Sequence, residues 1–580
     1  MTKPIRPLKE DKVKGLIDVS RGVLPATTWI RNGKVLNVYT GEVEEVDIVL
    51  FQDRIAYVGK KPPMTDADTI VMDASGYTLV PGYIEPHAHP FQLANIESFS
   101  AFSLSLGTTT MVNDNLIYYL NMGAEEFQYL LDYCSRLPIK NYWWARLDPQ
   151  STQPEMVAKF TTERLIELLG QESVLQAGEL TSWTQLIEGD PAMISGITEA
   201  RNQGKRIEGH NPGASSETLN VMAALGVTAC HESIKGEEVM RRLRLGMYAT
   251  LRHSSIRPDI PHLVRELRES GFNFEAASRL LMTTDGSMPP FHQHGCVDYL
   301  IQLAIENGVP APVAYRMATL NPAVYYGLDQ EIGGIAPGRL ADILFLKDLH
   351  QPKPVKVIAE GRLVAEEGQL LESLPPVDWE KLRFLPMDKK WRMKKEWLDE
   401  IDKESLPILE LLNAVIIRHQ EGHPDGVNQA DLCYAVLIDQ DGKWMTTGLL
   451  KGFAHRLDAF AATITASQDM LVIGQCKDSM TQAVNELLDR GGGILLKENR
   501  ENLFQLDLPL GGKMSRLNME ELIEETIQLV HLLRERGHRH IDPFYTMFFL
   551  SATHLPDLRL TAQGVFSIKN NKVIYPSKPL

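Results

Sequence analysis

The stretch Pro81-Gly82-Tyr83-Ile84-Glu85-Pro86-His87-Ala88-His89-Pro90 decides how the rest of the chain reads. A strand-like run, Tyr77-Thr78-Leu79-Val80, leads into it, and two histidines one residue apart nearly close it. Side chains at i and i+2 of an extended chain share a face. His87 and His89 therefore aim into one space at a strand end and offer two imidazole nitrogens to one cation. An isolated H-x-H also occurs as two surface histidines, so the remaining sequence has to decide.

Upstream of this stretch, residues 1–26 read as a polar lead-in with one helix. Residues 27–80 then read as short strands and turns, with Asn32-Gly33 as a hairpin signal and Asp47–Phe51 as a half-buried strand. This β unit is incomplete, and its other half lies downstream at 337–372, where GRLADILFL and VKVIAEGRLV again read as strands. The intervening residues 81–336 alternate strand and helix signals. Strand candidates are Thr78–Ile84, Gly107–Val112, Tyr142–Leu147, Val174–Glu179, Arg206–His210, Val227–His231, Met247–Arg252 and Leu280–Thr284. Eight such strands match a parallel (β/α)₈ barrel. An open doubly wound sheet is the alternative, against which no G-x-G-x-x-G follows the first strand. Residues 373–404 read as a linker with a short charged helix. Residues 405–580 form a second α/β unit, with strands at Ala414–Arg418, Ala435–Ile438 and Met470–Ile473 and helices at Met480–Leu488 and Met519–Glu535. The expected fold is thus α/β: a TIM-like (β/α)₈ barrel, a split β-sandwich and a C-terminal α/β domain.

Composition sets outer bounds. At 580 residues the chain is too long for one core. With 44% hydrophobic and 23% charged residues it reads as a globular protein. A formal charge of −16 excludes a general polyanion binder, so no nucleic acid partner is expected. The five cysteines (Cys134, Cys230, Cys296, Cys433, Cys476) are scattered and never form C-x-x-C, which fits free thiols in a reducing compartment. No signal peptide and no apolar run long enough for a membrane span appear, so a cytoplasmic protein is expected.

In a barrel, the groups for chemistry sit at the C-terminal ends of strands, and polar residues fall there in succession. Val174–Gly178 ends in Glu179, and Lys205–Gly209 ends in His210, followed by Asn211-Pro212-Gly213. Val227–Cys230 ends in His231-Glu232, and Leu281–Thr284 ends in Asp285. Singly, such a histidine is ordinarily a hydrogen-bonded core residue and such a carboxylate a helix cap. Jointly, His87, His89, Glu179, His210, His231 and Asp285 point to metal. Six ligands exceed what one tetrahedral zinc takes. They suit two divalent ions sharing a bridging carboxylate and a bridging hydroxide, and an N/O set without thiolate fits Mn, Fe(II) or Zn. Cys230 points to the other side of its strand and reads as core.

This arrangement resembles the amidohydrolase superfamily: H-x-H on strand one, histidines on strands five and six, an aspartate on strand eight, and a split β-sandwich beside the barrel. Within it the chain is similar to the bacterial adenine deaminase family over nearly its whole length. EGHNPG (Glu208–Gly213) and CHES (Cys230–Ser233) resemble that family's histidine motifs. GLLKGF (Gly448–Phe453), LDRGGG (Leu488–Gly493), LPLGG (Leu508–Gly512), DPF (Asp542–Phe544) and LPDLRLT (Leu555–Thr561) resemble its C-terminal unit. The family bridges its metals with a glutamate on strand four, a place that Glu179 takes here. Departures cluster elsewhere. D-P-H-E after strand two becomes Asn113-Asp114-Asn115-Leu116, and R-E-G-S after strand seven becomes Arg252-His253-Ser254-Ser255. A double aspartate becomes Asp285-Gly286, a downstream G-H becomes Gly295-Cys296, and A-H-D-S-H-N becomes Thr465–Met470. The ligands persist while groups around the substrate differ, which bears on the substrate more than on hydrolysis.

The resemblance implies metal-assisted hydrolytic deamination of a small nucleobase-like molecule, adenine or a related aminated purine. His87, His89 and Asp285 would hold one ion, His210 and His231 the other, with Glu179 between them. Asp285 would move the proton from water to the leaving ammonia. Glu232 either hydrogen-bonds a ring nitrogen or caps the next helix. A different cyclic amide or aminated heterocycle is the second reading, and a catalytically silent nucleobase-binding protein is a third. A homo-oligomer is compatible with all three.

Overall fold

The computed structural model describes residues 8–151 and 153–580; the first seven residues of the lead-in and Thr152 lie outside them. The lead-in contains helix Glu10–Arg21, ended by Gly22 in the left-handed region at φ 76°. Val19 seats that helix on the first sheet against Val49 and Ala56.

That first sheet has nine strands and is assembled from both flanks of the barrel. Thr28–Leu36 pairs antiparallel with Val43–Phe51, and the downstream strand Ile343–Leu346 pairs antiparallel with Thr78–Pro81. Ile30, Ile48, Ile55, Leu79, Ile343, Phe345 and Ile358 form its own apolar core. Pairing across the barrel holds both ends of the inserted segment to one support.

The eight parallel strands of the barrel follow one another in chain order. They are Tyr83–Ala88, Thr108–Asn113, Lys140–Ala145, Val174–Leu180, Arg206–Gly209, Ala229–Cys230, Tyr248–Arg252 and Leu280–Thr283. Most of their residues are buried on both faces, as helices outside and side chains inside require. The ring closes at Ala88 and Asp285, which form a parallel bridge, and Thr283 Oγ1 donates to the His87 carbonyl at 2.9 Å. Closure rules out the open doubly wound alternative. One boundary differs from the sequence reading. Thr78–Ile84 is not a single barrel strand, because Thr78–Pro81 pairs in the first sheet and Gly82 separates it from barrel strand one. A Cβ at Gly82 would strike the Thr109 side chain, so the crossing needs glycine. Cys230 is buried in the main core, and all five cysteines are free.

Residues 373–404 do not behave as a tether. Val377, Trp379, Leu382 and Phe384 are buried, and Phe384 meets Tyr118 edge-on with ring centroids 5.8 Å apart. The Val377 amide donates to Glu97 Oε2 at 3.0 Å, and the Met387 amide to the Gly491 carbonyl at 2.8 Å. The segment is a strap that packs along the barrel and the C-terminal unit, followed by the short helix Lys395–Asp399. Burial of these apolar side chains, with Met393 and Leu398 further on, outweighs the Pro- and Lys-rich surroundings that suggest a linker.

The C-terminal unit contains a nine-stranded mixed sheet and a three-stranded sheet. Helix Lys477–Arg490 buries Met480, Ala483, Val484 and Leu487 against the larger sheet. Helix Met519–Glu535 occupies the residues expected of it. Ala414–Arg418 was expected as a strand, but strands run at Ile408–Leu411 and Ile417–Gln420 with a loop between. The Asn413 side chain accepts the Val415 and Ile416 amides at 2.8 and 2.7 Å, a turn that competes with strand pairing. That loop reaches the mouth of the barrel. Among the described residues no helix is long and apolar enough to cross a membrane.

Candidate metal centre

Strand one delivers His87 from within the strand and His89 just past it, as the two-residue alternation requires. His87 Nε2 and His89 Nε2 lie 3.1 Å apart, and Asp285 Oδ1 lies 3.4 and 3.2 Å from them. Asp285 sits at φ 53°, in the left-handed region that turns its carboxylate back over the barrel end. A second set forms beside it. His210 Nδ1 and His231 Nε2 are 3.3 Å apart, His231 Nε2 is 3.5 Å from Glu179 Oε1, and Glu179 Oε1 also contacts His210 Nδ1. The neighbouring residue Gly178 has φ 111°, and a Cβ there would strike the Glu208 carbonyl, so strands four and five approach closely only with glycine.

All six residues read from strand ends thus converge into two three-atom donor sets, each holding two ring nitrogens and one carboxylate oxygen. Glu179 also lies within reach of His89 and Asp114, which places it between the sets.

Behind these donors is a layer that the sequence reading missed. Glu208 accepts from His87 Nδ1 at 2.9 Å and His231 Nδ1 at 3.0 Å, so one carboxylate fixes the tautomer of two imidazoles and turns both Nε2 atoms inward. Asp114 does the same for His89 through Nδ1 at 2.9 Å. Arg146 bridges Asp114 at 2.5 Å and Glu179 Oε2 at 2.9 Å, and Arg252 bridges Glu232 at 2.5 Å and Asp285 Oδ2 at 2.8 Å. Each residue sits at or next to a strand end. Glu208 is two residues before His210 and faces the same way, and Asp114 directly follows strand two. Spacing within the sequence therefore held the signal for both.

The charges are strongly biased. Burial works against an ionised Asp114, but Arg146 and His89 outweigh it and hold the carboxyl down at about 2. Glu232 is likewise held at about 2, by Arg252, His210 and Arg257 against burial. Arg252 and the two leading histidines keep Asp285 well below the usual carboxylate range despite burial. His87 responds in the opposite sense: burial would lower it, yet Glu208 dominates and lifts it to about 9. Five carboxylates (Asp114, Glu179, Glu208, Glu232, Asp285) face three guanidinium groups (Arg146, Arg252, Arg257), and the difference is one that protonated imidazoles balance without metal and that divalent ions would balance with neutral imidazoles. Donor type, spacing and charge all fit divalent ions.

Glu232 does not cap a helix. Helix Gly236–Arg244 has Lys235 at its N-cap without a side-chain bond, while the Glu232 oxygens contact Arg252 and Arg257, each at 2.5 Å. Its carboxylate lines a cavity of about 650 Å³ that lies over both donor sets. The barrel supplies the floor, with His89, Glu179, His210, Arg252 and Asp285 among its residues. The C-terminal unit supplies the roof through Asn413–Ile416, Ile541, Tyr545, Phe548, Phe549 and the loop His554–Pro556. Tyr545 reaches down to donate to the Gly286 carbonyl next to Asp285. Burial, reinforced by His210, pushes the His554 imidazole down to about 3, so it is neutral.

Comparison with known proteins gives two family matches, the amidohydrolase family over residues 78–364 and the adenine deaminase C-terminal domain over residues 412–572. A protein of Halalkalibacterium halodurans described as a "putative adenine deaminase" is 39% identical over 98% of both chains. One of Bacillus subtilis with the same description is 37% identical over 98% of both. The adenine deaminase of Moorella thermoacetica is 31% identical, again over 98% of both.

Proposed function

Because the chain belongs to the adenine deaminase family of amidohydrolases, we propose that it hydrolyses adenine, or a closely related aminated purine, to hypoxanthine or its counterpart and ammonia. The observation that carries this reading is the pair of donor sets lying under a cavity walled by ionised carboxylates. His87, His89 and Asp285 would hold one divalent ion, His210 and His231 the other, and Glu179 would serve both. Mn(II) or Fe(II), with Zn as a third choice, match the ligand types. Such ions, when bound, bring water close enough to ionisation to act as a nucleophile near neutral pH.

The chain's own residues then do the following. Asp285, kept ionised by Arg252, takes the proton of the attacking water at Oδ1 or Oδ2 and passes it to the departing amine. Arg252 holds Asp285 Oδ2 and Glu232 Oε1 together, so both carboxylates keep fixed orientations while the proton moves. Glu232, anionic and braced by Arg257, accepts an N–H of the heterocycle and orients the ring. The apolar roof excludes bulk water, which strengthens every charge interaction beneath it. The free cysteines are consistent with a reducing, cytoplasmic setting.

A second reading, hydrolysis of another cyclic amide or aminated heterocycle, is favoured by one observation: a cavity of about 650 Å³ is roomy for a bare nucleobase. One experiment tests both. Protein loaded with Mn(II) or Fe(II) is given aminated purines and cyclic amides while ammonia is followed. Release from adenine supports the first reading, release only from another compound replaces it with the second, and no release from any compound removes both.

A further inference from the structure

A second cavity begins one residue beyond Arg252. That arginine ends the strand Tyr248–Arg252 and lines the cavity over the donor sets, while the next residue, His253, lines a separate cavity of about 430 Å³. Successive side chains of an extended chain point opposite ways, so one strand end serves both spaces. Ile541 lines both cavities as well. The reaction above uses no side chain that belongs to the second one alone.

One wall of this cleft is built of rings. Tyr299 stacks on His294 at 5.2 Å and stands edge-on to His253 at 5.7 Å, with Phe291 6.0 Å from both His253 and Tyr299. Phe291 and His294 come from the short turn of helix Pro289–His294, and Tyr299 from helix Val297–Glu306. The other wall is helix Met519–Glu535 of the C-terminal unit. Ile527, Val530, His531 and Arg534 line the cleft from it, and their spacing at i, i+3, i+4 and i+7 puts them on one helical face.

The basic groups of the cleft are unengaged. Among the described residues, the side chains of His253, His294, His531 and Arg534 form no hydrogen bond and no ion pair. The lining holds one carboxylate, Asp542, and that one is already occupied: buried, it accepts the Tyr545 amide at 3.1 Å as the cap of helix Pro543–Phe549. In a chain of formal charge −16, this cleft is short of anions. Burial, reinforced by His294, pushes the His253 imidazole down to about 4, so that ring is neutral. Arg534, exposed at the edge, carries the permanent positive charge. Rings take a planar ligand by stacking, and a free guanidinium takes an anionic oxygen.

We propose that this cleft binds a planar aromatic anion, its ring seated against Phe291, His294 and Tyr299 and its charged group paired with Arg534 and His531. A volume of about 430 Å³ lies within the range of sites for small organic molecules. Nucleoside monophosphates and aromatic carboxylates share the required chemistry. The inference does not depend on the deaminase reading.

Isothermal titration calorimetry on the full, Mn(II)-loaded protein tests it, with adenosine 5′-monophosphate, indole-3-carboxylate and inorganic phosphate as probes. At least one of the two ring-bearing anions is expected to bind, about 100-fold more tightly than phosphate, which cannot use the rings. The tighter of the two identifies the source. Arg534→Gln should weaken that binding about tenfold through the lost charge-assisted bond, and Tyr299→Leu about tenfold through lost stacking. Both residues lie outside the donor sets, so ammonia release without the probe should match wild type and report an intact fold. If Tyr299→Leu does not fold, His294→Ser, at an exposed position, tests the same wall. Binding of neither ring-bearing anion overturns the proposal, as does phosphate binding equally well. Affinity unchanged in Arg534→Gln also overturns it, since the ligand would then sit elsewhere. Wild-type protein that releases no ammonia from any compound removes the proposed function and leaves the titration to decide the cleft by itself, with melting curves as the check of fold.

Discussion

The floor and roof of the cavity come from different units and solve different problems. On the floor, carboxylates, imidazoles and guanidinium groups interlock, with Glu208 holding two histidines and Arg146 holding two carboxylates. On the roof, aromatic and aliphatic side chains dominate, and the polar groups are few: Asn413, which accepts two amides of its own loop, Tyr545, anchored on the Gly286 carbonyl, and His554. A charged floor under an apolar lid concentrates its field on whatever lies between them. The contrast fits the proposed reading, in which the chemistry falls to the barrel and the C-terminal unit covers the substrate.

The sharpest way to break that assignment is Asp285→Asn. If proton transfer depends on the floor, kcat should fall by about 10²–10⁴ while the melting curve stays close to wild type. An undiminished rate would take Asp285 out of the reaction. Next in size is Glu208→Gln, which touches no substrate but frees two imidazoles to choose the wrong tautomer. Metal affinity, followed by competition with a chelator, should drop by about 10–100-fold. Unchanged affinity would mean that the histidine orientation is set by packing alone. Roof changes should behave differently. Phe549→Ala should raise KM by roughly tenfold, with little effect on metal content, because it removes about half of the roughly 1.5–3 kcal/mol that a fully buried phenyl ring contributes. If it cut kcat more than KM, the division between the two surfaces would fail.

The smaller effects concern stability. In the metal-free protein, Glu208 lifts His87 from 6.5 to about 9. The stabilisation from its proton is complete below pH 6.5 and is lost as pH climbs through 9. Chelator-treated protein should therefore melt at falling temperature across that window, while metal-loaded protein, whose ring nitrogens are taken, should not. Equal pH dependence in both would count against His87 as a ligand. The least change is expected from Tyr545→Phe, which removes one buried hydrogen bond between roof and floor. About 1 kcal/mol of stability should go, seen as a small shift in a denaturant midpoint.

Much of the floor was readable before any coordinates. His87 and His89 share a face because strands alternate, and Glu179, His210, His231 and Asp285 each end a strand-like run. Their partners were harder to see. Glu208 lies within a family-like motif yet shows no role in the sequence, since a buried glutamate in a strand looks like a liability until the two imidazoles it serves are seen beside it. Asp114 reads in the sequence as a departure from a family pattern, though its place after strand two obeys the same rule as the ligands. Pro and Lys content makes the strap at 373–404 read as a linker, because composition does not reveal that Phe384 meets Tyr118. The strand expected at Ala414–Arg418 failed at Asn413, whose side chain captures the backbone of the next turn.

Alternation along strands and the order of strand ends determined, from the residues alone, a barrel with six donors at one rim. Those are local rules, set by backbone geometry within a few residues. What covers that rim was decided only in three dimensions. Residues 413–416 and 541–556 reach the cavity through contacts with a unit far away in the chain, held by Arg559 and Tyr545, and the sequence carries no period or spacing that records such a meeting.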